Sequence, residues 1–225
     1  LIFDPIWLAL ILVSTGIGMA TQGYINSTFR KWSKVPLNTG MSGAQVARRI
    51  LDMNGLQEVP VNSVGGKLTD HYDPRNRTLA LSAPVYGEMS VAAAGVAAHE
   101  VGHAIQDQQR YVWGTLRTAI VPVVNIGSQF AFPAILLGLW LGIAGLAWLG
   151  VIFYAGAVLF QLVTLPVEFD ASKRALTLLT DSGTMSPEQV NGARQVLTAA
   201  ALTYVGAALI AALQLLYFVG LARRS

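Results

Sequence analysis

The chain has 225 residues, 53% hydrophobic and only 12% charged, with a mean hydropathy of +0.51. Soluble domains carry roughly 25% charge, and here residues 5–29, 118–167 and 195–222 carry none. Each of these tracts exceeds the roughly 20 apolar residues that cross a bilayer as a helix, which excludes an ordinary soluble globule and implies an integral membrane protein. The absence of cysteine excludes disulfides, thiolate metal ligands and a cysteine nucleophile.

In chain order, Leu1 stands where a methionine would be expected, which suggests that residues precede it. Phe3-Asp4-Pro5, with no basic residue, argues against a signal peptide. Residues 6–24 read as a first spanning helix, and residues 26–117 as a polar block holding 10 of the 15 basic residues. Within that block, residues 43–55 have the pattern of a short amphipathic helix. Val46, Ile50 and Leu51 share one side, and Gly55 provides a stop. Residues 77–82 alternate polar and apolar side chains like a short edge strand. Such a strand either takes up an extended peptide or simply packs. His71, in a polar turn-like segment before it, is a candidate for steadying the oxyanion or a substrate carbonyl, or else it or its neighbours hold the start of the strand by hydrogen bonds.

The 50-residue uncharged tract would be about 75 Å long as one helix, more than twice the hydrocarbon thickness. It is therefore expected to turn, and residues 120–165 form a hairpin of two crossings with Gly138, Gly142, Gly145 and Gly150 near its middle. Gly138 and Gly142 suit either a close helix contact or a turn. Residues 166–194 form a second polar block, and residues 196–221 the fourth crossing. Four crossings put both blocks on one side. The blocks hold 13 basic residues and the tails 2, a bias that places the blocks in the cytoplasm. The same bias accounts for the net charge of +3 and the pI near 9.3 without nucleic acid. A transporter is disfavoured because the spans lack ionisable residues.

Chemistry concentrates in a helix expected over about residues 90–109, alanine-rich and capped by Ser90. His99 and His103, four residues apart, project from one helical face. Two neutral imidazoles at that spacing hold one Zn²⁺. Glu100, turned about 100° from His99, reaches a water rather than the ion. The pattern is H-E-x-x-H, in which the glutamate is the general base. Gly102 keeps the helix surface low between the histidines.

A catalytic zinc site takes three protein ligands and one open position. The first charges after the long uncharged tract are Glu168 and Asp170. Glu168 is the candidate third ligand and Asp170 its competitor. The two point about 200° apart on a helix, so the one that does not bind is free to support a histidine. Pro166 is expected to break the helix or to open a new one.

Lys34-Val-Pro36, Gly43-Ala-Gln-Val-Ala-Arg-Arg-Ile50, Leu68-Thr-Asp-His-Tyr-Asp-Pro-Arg75, Ala97-Ala-His-Glu-Val-Gly-His-Ala-Ile-Gln106 and Leu162-Val-Thr-Leu-Pro-Val-Glu-Phe-Asp-Ala-Ser172 together resemble the YugP-like membrane-bound neutral zinc metallopeptidases. The resemblance covers nearly the whole chain. It implies a gluzincin-type core similar to that of HtpX-like membrane proteases, with His99, His103 and Glu168 as zinc ligands and Glu100 as base. Many gluzincins carry an aspartate four residues after the ligand glutamate. Here that position is Ser172 and the nearby acid is Asp170, which leaves the supporting group open between them.

The expectation is thus a mainly α polytopic membrane protein, a single domain over residues 1–225, with a small α+β zinc-binding module. Its expected activity is Zn²⁺-dependent endopeptidase action on polypeptides, with membrane proteins favoured as substrates. The resemblance implies a bacterial plasma membrane, and the excess of basic residues in the polar blocks turns the active site toward the cytoplasm. The alternative is a catalytically silent metal-binding subunit, or an accessory of a larger membrane complex.

Overall fold

The computed structural model describes residues 4–224. The readings of Leu1 and Phe3, and the extreme ends of the expected domain, lie outside the described residues. The elements in order are α1 (Pro5–Trp32), α2 (Gly43–Met53), β1 (Val61–Val64), β2 (His71–Asp73), β3 (Thr78–Ser82), α3 (Ala83–Gly87), α4 (Val91–Gln108), α5 (Val112–Leu141), α6 (Ala144–Asp181) and α7 (Pro187–Ala222). The protein is mainly α with one small sheet. Of these helices α1, α5, α6 and α7 are long and apolar enough to cross a membrane. Packing divides the chain into two units. The first comprises the chain up to Gln22, Val112–Pro166 and everything from Leu202 on; the second comprises Gly23–Tyr111 and Val167–Ala201.

In the first unit α5 and α6 form a hairpin. Its turn lies at Gly142, where φ is +68°, a backbone conformation that costs glycine little. At Gly138 an added Cβ would lie 2.3 Å from the backbone nitrogen of Ala147, so this glycine lets the two helices touch. Of the two roles open to the glycine pair, Gly138 takes the close contact and Gly142 the turn. Elsewhere in the unit Trp7 stacks on Tyr217, and the Tyr154 hydroxyl donates to Gln214.

The second unit has its own core. Ser42 and Gln45 close a reciprocal capping box at the start of α2, which buries Val46, Ala47, Ile50 and Leu51. These pack with Leu79 and Leu81 of β3 and with Val91, Ala94, Ala98 and Val101 of α4. A second reciprocal Ser–Gln pair, Ser186 and Gln189, starts α7, with Pro187 at its first position. The sheet order is β1-β3-β2, with β1 parallel and β2 antiparallel to β3.

Two expectations are corrected. Residues 77–82 do not form an edge strand. β3 is the central strand, because Leu79 and Leu81 are fully buried and both of its edges are occupied by neighbours. Pro166 neither ends nor starts a helix, and α6 runs through it. Proline removes the N–H that would bond to the carbonyl at position 162 and clashes there, at roughly 3 kcal/mol. The backbone just beyond is fixed from outside, since Gln106 donates to the Val167 carbonyl at 2.9 Å and Val167 and Ala171 are buried.

Candidate metal centre

Helix α4 starts at Ser90, whose hydroxyl accepts from the Ala93 amide at 3.2 Å. Its small side chains admit neighbours at close range. A Cβ on Gly102 would lie 2.7 Å from the carbonyl oxygen of Ala171 on α6, and one on Gly95 would lie 3.2 Å from Ala193 Cβ on α7. Gly102 therefore does more than keep the surface low between the histidines. It brings the backbone of α6 against α4, next to Glu168 and one residue before His103.

The consequence is a tight group of donors. His99 Nε2 lies 3.3 Å and His103 Nε2 3.6 Å from Glu168 Oε2, and the three ligand atoms are all within 4.8 Å of one another. Ligands held tetrahedrally at about 2.0–2.1 Å from zinc are about 3.3 Å apart, so these residues fit a Zn²⁺ ion. The imidazole planes are nearly perpendicular, 85°, with centroids 4.7 Å apart, which lets both Nε2 atoms converge without the rings colliding.

The remaining ring nitrogens are also engaged. Ser172 Oγ lies 3.2 Å from His99 Nδ1, and Gln106 Oε1 lies 3.0 Å from His103 Nδ1. The Gln106 amide is oriented by its nitrogen, which donates to Val167 O at 2.9 Å and to Asp170 Oδ2 at 2.8 Å. The oxygen then faces the imidazole, so His103 Nδ1–H donates to it, which leaves Nε2 as the ring atom directed at Glu168. Asp170 does not accept from a histidine. It is held by Arg174, which also donates to Gln109 at 2.7 Å, and it reaches His103 only through Gln106. Of the two groups that sequence left open, Ser172 lies against His99, and Asp170 reaches His103 only through Gln106.

Glu100 is buried beside this group, 7% exposed. Burial pushes its carboxyl above the usual range. The charges of His99 and His103 oppose that shift, and Glu168 and Asp70 add to it. For His103 burial acts downward, but the hydrogen bond to Glu168 and the charge of Glu100 outweigh it and raise the imidazole.

Gln106 had no assigned role in the sequence, whereas Asp70 is one of the neighbours of His71 expected to hold the strand by hydrogen bonds. Asp70 accepts from the Ser82 amide at 2.7 Å and from its hydroxyl at 2.9 Å, and burial raises its carboxyl. The only available signal for Gln106 was its place three residues after His103, a spacing that puts both on one helical face. His71 lies in β2 and is exposed, with Nδ1 donating to Thr69 O at 2.9 Å. It is not among the residues that converge on the metal-competent group. Its neighbour Tyr72 donates to Asp107 at 2.9 Å; burial, and then that acid, push its hydroxyl up to about 12.

With this geometry established, relatives become informative. A family described as "Putative neutral zinc metallopeptidase" matches residues 7–223. This chain belongs to that family. It is 48% identical over 214 residues to "Putative membrane protease YugP" of Bacillus subtilis (strain 168), covering 95% of each chain. No solved structure matches it. The family is one of zinc peptidases, and the protein accordingly pairs a His99–His103–Glu168 group able to bind a metal ion with helices able to cross a membrane.

Proposed function

We propose that the protein is a zinc endopeptidase of the bacterial plasma membrane whose centre faces the cytoplasm. The carrying observation is the buried Glu100 beside a three-residue donor set whose two imidazoles are each oriented through Nδ1. Zinc, when held by His99, His103 and Glu168, supplies Lewis acidity that polarises a scissile carbonyl and acidifies water. Glu100 takes the proton from the attacking water and delivers it to the leaving amine, and its raised affinity for protons suits both transfers. Gln106 and Ser172 hold the imidazoles in the tautomer that binds through Nε2.

Three protein donors leave a position open, which favours catalysis over a purely structural site, where four donors are usual. The excess of basic residues in the two polar blocks supports the cytoplasmic orientation. The membrane setting favours membrane proteins as substrates.

The test is cleavage of an unfolded polypeptide by the purified protein beside Glu100→Gln, with zinc content measured in both. The proposal expects equal zinc, with cleavage only by the wild type. Equal cleavage by both would remove Glu100 from the mechanism, and zinc-loaded wild type that cuts no polypeptide would favour a silent metal subunit.

A further inference from the structure

The buried face of α5 is made by Gly127, Ala131, Ala134 and Gly138. Two of these meet α6, Gly127 at Phe153 and Gly138 at Ala147. The face on the other side of α5 is exposed and is not uniformly apolar. Thr118, Asn125 and Phe132 recur every seven residues on it, and Gln129 lies one turn after Asn125. At 100° per residue these four fall within about 60° of one another. Neither amide side chain has a hydrogen-bond partner among the described residues. Asn125 and Gln129 sit near the middle of the 30-residue helix, deep in the stretch that lipid tails would surround.

Hydrocarbon offers an amide neither donor nor acceptor, so two amides exposed there favour any neighbour that supplies both. All copies of a membrane protein share one orientation, so a two-fold axis along the bilayer normal brings each residue against its own counterpart at the same depth. A charged side chain would be repelled by its copy. An amide is complementary to its copy, because it donates with nitrogen and accepts with oxygen. The seven-residue recurrence is also the spacing that keeps one stripe facing a parallel partner helix. We propose that a second copy of this chain docks on the Thr118–Asn125–Phe132 stripe of α5, with the Asn125 and Gln129 amides paired across a two-fold axis. This proposal stands on the membrane-spanning reading and is independent of the metal centre.

The chain contains no cysteine, so single-cysteine variants report contacts without background. In membranes under mild oxidation, Thr118→Cys and Phe132→Cys are expected to cross-link as dimers. Val123→Cys and Phe130→Cys, exposed at 74% and 58% on the same helix, are expected not to. In mild detergent the wild type should have twice the 24.0 kDa chain mass. The Asn125→Leu/Gln129→Leu variant should fall to a single chain with unchanged helix content, and it should abolish cross-linking at position 132. A monomeric wild type, equal cross-linking at all four positions, or a dimer untouched by the double substitution would overturn the proposal. So would labelling of Asn125→Cys by a membrane-impermeant charged thiol reagent, since the stripe would then line water.

Discussion

Helices α4 and α5 are both rich in small and apolar residues, yet they are built for different surroundings. Thirteen of the 18 residues of α4 are buried, including Glu100 and Gln106, whereas five of the 30 in α5 are. In α4 the small residues let protein close in, and Gln106 is bonded to His103, Val167 and Asp170 while Glu100 lies buried beside the donor set. In α5 the small residues gather on one face for α6, and large side chains such as Val123 and Ile126 point outward. Apolar composition therefore goes with burial by protein in α4, and with a largely exposed surface suited to a membrane in α5.

Substitutions should separate the two most sharply at the chemical group. Glu100→Gln should reduce turnover by roughly 10²–10⁴-fold, the usual contribution of a positioned acid–base group, while zinc measured by metal analysis stays at wild-type level. Glu168→Ala should lose zinc, and with it the stabilisation that bound metal gives, about 2.7 kcal/mol at 100 times its dissociation constant. Thermal unfolding with and without a chelator reads this directly. Wild type should shift on chelation and the variant should not.

Glycine substitution offers a comparison of opposite signs. At Gly102 a methyl group would meet the Ala171 carbonyl at 2.7 Å, so Gly102→Ala should destabilise by about 1–3 kcal/mol and weaken zinc binding by moving Glu168 outward. At Gly156, in a stretch of α6 belonging to the other unit, nothing lies within 4 Å. Gly156→Ala should therefore be neutral or stabilise by up to about 1 kcal/mol. Unfolding midpoints of the two variants check both signs together. Gln106→Ala should weaken zinc affinity by about 10–100-fold in competition with a chelator of known strength. If the affinity were unchanged, the hydrogen bond to His103 would have no hold on the metal.

How much of this was legible in the sequence depended on whether the signal was local. The charge-free tracts, the Ser90-capped helix with His99 and His103 on one face, and the turn near Gly142 all follow from spacing alone. Glu168 could be nominated because it is the first charge after a long silence. The role of Gln106 could not, because it depends on Val167 and Asp170 lying against α4, an approach governed by Gly102. The central position of β3 was equally hidden, since alternation in residues 77–82 reports one strand and not its neighbours. Pro166 misled because its local cost is real, and only the tertiary bond from Gln106 to Val167 shows how the helix continues through it.

The distance in sequence between His99 and Glu168, 69 residues, bears on biosynthesis. A ribosome that has completed α4 has delivered both histidines and Glu100, but the carboxylate that closes the donor set arrives only after α5, its turn and most of α6 have been made. A nascent chain thus carries an incomplete donor set until the α5–α6 hairpin has been synthesised.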